Sequence, residues 1–476
     1  MAVRKDMYIK VQNKVQPHLK GMYSRACRVL PESLIMSRKY FEVKEYLGLE
    51  DAEDESSAPL QTAQAVLLAR TLRNALQHVS YYRERVSLDP ESIVPANAVE
   101  SLRKFPLIDK QEISARPEDF ISDKYSKRSL IYTTSGGSTG RGIVLWKSYD
   151  EYQVEQAFIE DMWTTYGWNR SSKILRIGAD GILPPDKPPC HREDRRLLVS
   201  PRHLNEEWLD HIVDKAEDFG PQFIHTYPSC LEVLASHLKA SGRSLEVKGI
   251  FLASEEVKLE QLEFFKDVFQ APICFFYGAC EHALLGYGCC DGSRITYHLN
   301  PMYGFAENLE DEYGHELVGT GLWNEAMPLI RYRTQDYGRI VDGLTRCAVC
   351  GRTMRTVEQL DGRMQNYLTT KQGTRFPGLS IVVDKFIWDY ASTFQFVQNQ
   401  PGAIELHICP KGNLTPEVEQ RIIEAQKKRL SGWFDPITLV KVPEIHLTKG
   451  GKRRLVVINE GEVPGTDRQV GQGHDG

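Results

Sequence analysis

The chain has 476 residues, 41% of them hydrophobic and 26% charged, with a formal net charge of -5. That length supplies two or three domains with large cores, and the slightly acidic balance without a long basic run argues against nucleic-acid wrapping. No stretch approaches the roughly 20 apolar residues of a membrane span, and the N-terminal MAVRKDMYIKVQNK lacks the apolar core of a signal peptide, so the expected address is the cytoplasm.

In chain order, residues 1–90 read as a helical front. Ala65, Leu68, Ala69, Leu72, Ala75, Leu76 and Val79 recur at helical spacing, which is a packing face. From Pro95 to about Leu360, short strand-like runs (KILRIGA, QFIHTY, KGIFLAS, PICFFYG) alternate with amphipathic stretches such as Leu204 to Phe219 and Ser229 to Lys239. Such alternation marks an α/β domain, and ligands of open α/β sheets bind at the strand ends. After Gly362 and Arg363 the character changes. A turn from Gly373 to Gly378, the strand-like AIELHICP, the helix-like PEVEQRIIEAQKKRL and the strand-like RRLVVIN predict a small α+β domain. The expected division is 1–362, 363–460 and a disordered Gly/Asp/Gln-rich tail over 461–476.

Tyr132 to Lys147, YTTSGGSTGRGIVLWK, is the most informative stretch. Ser135, Gly136, Gly137, Ser138, Thr139 and Gly140 combine a backbone free to turn around a polyanion with hydroxyl and N–H donors for its oxygens. It is not a P-loop, because Arg141 and Gly142 follow where Lys and Ser/Thr would be needed, and a strand-like run comes next. On composition alone it is equally a surface loop.

Four further motifs follow in order: FFYGACE with Tyr277, Gly278 and Glu281; PLIRYRTQDYGRI with Arg331, Tyr332, Arg333, Thr334 and Asp336; LDGR with Gly362 and Arg363; and LTKGGKRR with Gly451 and Lys452. This ordered set resembles the acyl-adenylate-forming superfamily. It is most similar to the phenylacetate-CoA ligase family and its capsular-polysaccharide-associated (CapK-like) branch, with VSYYRERV, FPLIDKQEI and HTYPSCLEVLA agreeing outside the motifs.

The resemblance implies a large adenylate-forming α/β domain and a small mobile C-terminal lid. It implies an acid-thiol ligase that activates a carboxylic acid with ATP and Mg2+ and passes the acyl group to coenzyme A. Lys452 would bridge the substrate carboxylate and the α-phosphate, Glu281 would face Mg2+, and Asp336 would accept both ribose hydroxyls. Tyr277 would stack on adenine, with Phe276 a second candidate for which core packing is the rival, and Ser135 to Gly140, Gly278 and Arg363 would complete the nucleotide site. Each role suits its residue: lysine cancels the repulsion between two anions, and a carboxylate serves a hard cation or two hydroxyls. Alternatives remain: an amine, a sugar amine or a carrier-protein thiol as acceptor, or a noncatalytic nucleotide-binding scaffold. His225, Tyr227, Pro228 and the ILPPD loop are candidates to line the acid's pocket.

The sequence departs from the family pattern at three places. Arg141 stands where lysine is common, Gln335 where glycine usually precedes the aspartate, and Gln365 and Asn366 where the interdomain hinge usually carries an acidic residue.

Five of the ten cysteines, Cys280, Cys289, Cys290, Cys347 and Cys350, fall in one stretch. The C-x2-C of Cys347 and Cys350, with Cys289 or Cys290 and His298, offers the three thiolates and one imidazole of a structural zinc site. Adjacent Cys289 and Cys290 do not easily both bind one tetrahedral ion, and the sequence does not choose between them. Cys280 and the Cys190–His191 pair are not expected to join.

Overall fold

The structure, a computed structural model, describes residues 30–49, 57–134, 143–183, 187–311, 314–363, 367–373, 375–377, 385–445 and 456–459. The chain divides into two compact units, one of residues 1–362 and 447–452, the other of residues 363–446 and 453–476. The expected tail and the first 29 residues of the helical front lie outside the described residues.

In the first unit, a single helical turn at Glu32–Ile35 is followed by helices α1 (Arg38–Leu47) and α2 (Ala58–His78). A proline in its opening turn and a run of Ala and Leu favour α2. Its buried face carries Leu68, Ala69, Leu72, Ala75 and Leu76, as the spacing predicts, but Leu60, Ala63 and Leu67 share it and Ala65 is only half-buried. A hairpin of β1 (Ile131–Thr134) and β2 (Val144–Lys147) follows. It leads into α3 (Tyr149–Thr164), which Ser148 and Glu151 start with a reciprocal capping box.

The rest of this unit is one large sheet. Strands β3 (Ile174–Ile177), β4 (Cys190–Glu193), β5 (Arg196–Val199), β6 (Phe223–Thr226), β7 (Gly249–Leu252) and β8 (Ile273–Gly278) alternate with α4 (Leu209–Phe219), α5 (Pro228–Ser241) and α6 (Leu259–Phe269). Strands β5, β3, β6, β7 and β8 run parallel in that spatial order, with β4 antiparallel at the edge.

The two-residue period of the strands divides two cores. Phe223, Phe251 and Cys274 face α1 to α3, where Trp163 stacks on Phe251 at 4.4 Å, while Ile224, Ile250 and Leu252 face α4 to α6. The helix expected from Leu204 begins only at Leu209. Residues before it form a turn in which the Trp208 and Leu209 N–H groups both donate to the Asn205 carbonyl.

Beyond β8 the helix alternation stops. Strands β9 (Leu285–Cys290), β10 (Ile295–Leu299), β11 (Gly304–Asp311), β12 (Gly314–Gly321), β13 (Tyr332–Ile340), β14 (Thr345–Arg346) and β15 (Thr353–Arg363) extend the sheet in the order β11-β12-β13-β15-β10-β9-β8. Short turns such as Asp291–Gly292 between β9 and β10, and the one from Cys347 to Arg352 between β14 and β15, join antiparallel neighbours, which need no crossover helix. Among the described residues no helix is long and apolar enough to cross a membrane.

The second unit has the short pair β16 (Tyr367–Thr369) and β17 (Arg375–Pro377) and a four-stranded sheet. That sheet is ordered β20 (Ile437–Lys441), β19 (Ile404–Pro410), β18 (Ala391–Gln398) and β21 (Val456–Ile458). Helix α7 (Pro416–Leu430) is capped by Thr415 and buries Ile422 and Leu430 in a core with Phe396, Leu406 and Ile408.

Candidate active site

Strand β8 ends at Gly278, and the loop after it carries Glu281, 5% exposed. Two groups fix its carboxylate. The Tyr332 hydroxyl donates to Oε1 at 3.1 Å, and the Lys110 ammonium lies 3.5 Å from the same oxygen. Tyr332 opens β13, and Lys110 opens a short helix at the end of FPLIDK. That segment docks beside Tyr332 through bonds of Ile108 to Arg331 and Arg333.

Asp336 lies four residues along β13 from Tyr332 and is 6% exposed. The Tyr277 hydroxyl donates to its Oδ2 at 2.8 Å. Tyr277 is half-buried on the side of the second core, whereas Phe276 packs into the first. Strand β13 is thus linked once to the end of β8 and once to the loop after it, each time by a tyrosine hydroxyl on a carboxylate. Arg331 and Arg333 from the same motif are engaged elsewhere, with Glu307 and with the fully buried Glu316. Spacing gave no sign of Lys110 or of the role of Tyr332, although FPLIDKQEI and the β13 motif were both visible as segments.

Ser135, Gly136, Gly137, Ser138, Thr139, Gly140 and Arg141 lie outside the described residues, as do Gln365, Asn366 and Lys452. The hairpin strands that flank the glycine-rich run are in place, and Arg363 closes β15. Tyr227 follows β6 and Ala179 follows β3; the Ala179 N–H donates to the Tyr227 hydroxyl oxygen at 3.0 Å, so the two strand-end loops meet. His225 stands edge-on to Trp163 at 4.9 Å, and its burial holds the imidazole pKa well below the usual range.

The cysteine cluster is assembled by strand register. Cys289 on β9 pairs with Thr296 on β10, so Cys289 and His298, two residues beyond Thr296, share a face. Cys347 and Cys350 come from the turn between β14 and β15, where Gly351 takes φ +73° and the Val349 N–H reaches the Cys347 sulfur at 3.4 Å. The donor atoms of Cys289, His298, Cys347 and Cys350 all lie within 4.8 Å of one another. The Cys289 and Cys347 sulfurs are 3.9 Å apart, close to the ~3.8 Å edge of a tetrahedron with Zn–S bonds of about 2.3 Å.

His298 Nδ1 is paired with the Thr356 hydroxyl at 3.1 Å, and its buried Nε2 has no hydrogen-bond partner. The donor set therefore fits a zinc ion. Cys290 does not belong to it. One step along β9 turns its side chain to the opposite face, where its sulfur accepts from the Gly292 N–H. Cys280 and Cys190 also stand outside the cluster.

No protein-family model matches the chain. Among curated proteins, it is 22% identical to Protein CapK of Staphylococcus aureus over 374 residues, which cover 76% of this chain and 81% of that protein. It is 26% identical to the phenylacetate-coenzyme A ligase of Escherichia coli strain K12 over 351 residues, covering 69% of this chain and 77% of that enzyme. The chain is thus similar in sequence, over about seven-tenths of its length, to phenylacetate-CoA ligases and to Protein CapK, as its ordered motifs lead one to expect. Its fold is that of a 2-hydroxyisobutyryl-CoA ligase solved in a postadenylation state with an acyl-AMP, at a TM-score of 0.62 and 14% identity, covering 83% of this chain and 89% of that one.

Within this superfamily pattern, Gln335 is informative because it stands where glycine is usual. Its φ is +61°, the left-handed region that glycine enters without strain, and its N–H donates to Glu316 Oε1 at 2.9 Å. The backbone has kept a glycine conformation under a glutamine side chain. Replacing Gln335 by glycine is expected to raise stability by about 0.5–1 kcal/mol, the relief of left-handed strain less the entropy glycine adds to the unfolded chain. Urea unfolding of the two proteins measures it; a lower midpoint for Gln335→Gly would mean the strain is absent.

Proposed function

We propose that the protein condenses a carboxylic acid with ATP to an acyl-adenylate and pyrophosphate, then transfers the acyl group to coenzyme A. In the first step a carboxylate oxygen bonds to the α-phosphorus, the bond from that phosphorus to the oxygen bridging to the β-phosphate breaks, and pyrophosphate leaves. In the second step the coenzyme A sulfur bonds to the acyl carbon, AMP leaves, and the thiol proton passes to solvent. The observation that carries the reading is the pair of fixed carboxylates, Glu281 after β8 and Asp336 on β13, each held by a tyrosine hydroxyl.

Glu281 would hold Mg2+, which neutralises the polyphosphate when bound. Lys110, already against Glu281, adds positive charge at the same place. Asp336 would accept the ribose hydroxyls, and Lys452 would bring the substrate carboxylate to the α-phosphate. The CoA-ligase relatives support coenzyme A as the acceptor. The likeness to CapK motivates a second class of acceptor, an amine, sugar amine or carrier-protein thiol. We assign a structural Zn2+ to Cys289, His298, Cys347 and Cys350, supported by the buried, partnerless His298 Nε2.

The test is pyrophosphate release from ATP and Mg2+ with a panel of aryl, fatty and amino acids, with and without coenzyme A, comparing Lys452→Ala. Release that depends on one acid class and on Lys452, and that turns over only with coenzyme A, is the expected result. A single burst in both conditions would move the acceptor to the second class. Absence of release with every acid, while ATP still binds, would leave a nucleotide-binding scaffold.

A further inference from the structure

Lys147, the last residue of β2, is 5% exposed, an unusual place for an ammonium. Its Nζ donates to the Cys280 carbonyl at 2.8 Å and to His282 Nε2 at 2.7 Å, the two residues that flank Glu281. Because Nε2 accepts, the donor pattern assigns the His282 proton to Nδ1, which faces Glu155 Oε2 at 3.6 Å. Glu155, on α3, accepts in turn from the Tyr303 hydroxyl at 2.5 Å. Burial lowers the pKa of Lys147, raises that of Glu155 and holds His282 well below its usual range. A methionine would fill the same core position with no charge to desolvate, so the retained ammonium calls for a function.

The loop it grips is constrained from a second direction. His282 has φ +53°, a left-handed conformation that a non-glycine residue keeps only when its surroundings over-determine it. Gly304 on β11 and Gly321 on β12 supply part of that. A Cβ on Gly304 would stand 2.0 Å from the Ala283 carbonyl oxygen, and one on Gly321 would stand 2.6 Å from that of His282. The loop therefore rests on bare strand backbone while Lys147 holds it by its carbonyl and imidazole. Lys147 also pairs with Ile131 at the open end of the β1–β2 hairpin, whose other end carries the 135–142 glycine-rich run.

We propose that Lys147 is a positioning residue: through the Cys280 carbonyl and the His282 imidazole it locks the left-handed loop that aims Glu281, and ties that carboxylate to the hairpin bearing the glycine-rich run. The inference rests on the metal role given to Glu281 above. Neither Lys147 nor His282 contacts substrate in this scheme.

The experiment uses the full chain and Lys147→Met, with Arg170→Met as a control that breaks a different partly buried network, the one joining Arg170 to Glu160 and Tyr40. Amide hydrogen exchange is followed in the nucleotide-free proteins, and ATP binding is titrated against Mg2+ by calorimetry. Lys147→Met is expected to speed exchange about tenfold in the 279–285 segment, leave β6 and β7 unchanged, and raise the Mg2+ needed for half-maximal ATP binding about tenfold. Arg170→Met should change neither readout at the loop. If Lys147→Met does not fold, His282→Asn, which tolerates left-handed backbone but is too short to reach the ammonium, is expected to give the same pattern. Unchanged exchange at 279–285, or exchange that rises uniformly with an unmoved Mg2+ requirement, would overturn the proposal and leave Lys147 a general brace. Local loosening in the variant, together with wild-type ATP binding that ignores Mg2+, would support the lock and overturn the metal role of Glu281.

Discussion

Glu281→Gln is expected to lower acid-dependent pyrophosphate release by at least about 100-fold with the fold intact. Glutamine fills the same volume and its side-chain oxygen can still accept from Tyr332, so the change isolates the negative charge. What is lost is the anionic ligand proposed for Mg2+, at a place where burial leaves little water to substitute for it. The stability cost is a few kcal/mol at most, about 1–3 kcal/mol, because Lys110 is left largely buried beside a neutral partner but keeps some access to solvent. Tyr332→Phe is the graded companion. It keeps the charge and removes the hydroxyl that orients it, and its expected loss is about tenfold, recoverable by raising Mg2+. Initial rates over a Mg2+ series in the three proteins separate the effects. A Glu281→Gln rate close to wild type would remove this carboxylate from the metal site.

Much of this arrangement is legible in the sequence, and the reason differs from part to part. The parallel strands β3, β6, β7 and β8 were visible because strands buried on both faces are continuous apolar runs closed by polar loops. The small-domain helix, Pro416–Leu430, coincides with its sequence pattern because a proline start and a terminal basic run bound it. The Glu281 and Asp336 motifs stood out because their chemistry is local to a few residues. The bonds that join them did not. Tyr332 to Glu281 spans 51 positions and Tyr277 to Asp336 spans 59, and no periodicity encodes a pairing created by strand order. Lys147 was missed for the same reason. A lysine ending a strand reads as solvated, and only the fold shows its ammonium turned inward onto the residues flanking Glu281. The meander after β8 escaped the expected alternation because antiparallel neighbours need only the short turns that also punctuate βα units.

The choice between Cys289 and Cys290, open in the sequence, becomes a sharp experiment. Cys289→Ala and Cys347→Ala are each expected to abolish stoichiometric zinc and to cost roughly 4 kcal/mol, a fall in Tm of about 5–10 °C. Cys290→Ala should keep one zinc per chain and unfold near wild type, since its half-buried side chain lies on the opposite face, where the sulfur accepts from the Gly292 N–H. Thr356→Val tests the support behind the ligand: without the hydroxyl on His298 Nδ1 the ring loses its orienting partner, and zinc affinity should fall about 10–100-fold with the four donors intact. Metal content by mass spectrometry and thermal unfolding decide these cases; zinc retained by Cys289→Ala but lost by Cys290→Ala would reverse the assignment. The cluster pins β9, β10 and the turn leading into β15, whereas Glu281 and Asp336 are held by tyrosines rather than by the cysteines. Mild chelation should therefore lower Tm before it weakens nucleotide binding, and a simultaneous loss of both would mean that the two tyrosine bonds depend on the zinc-bound turn.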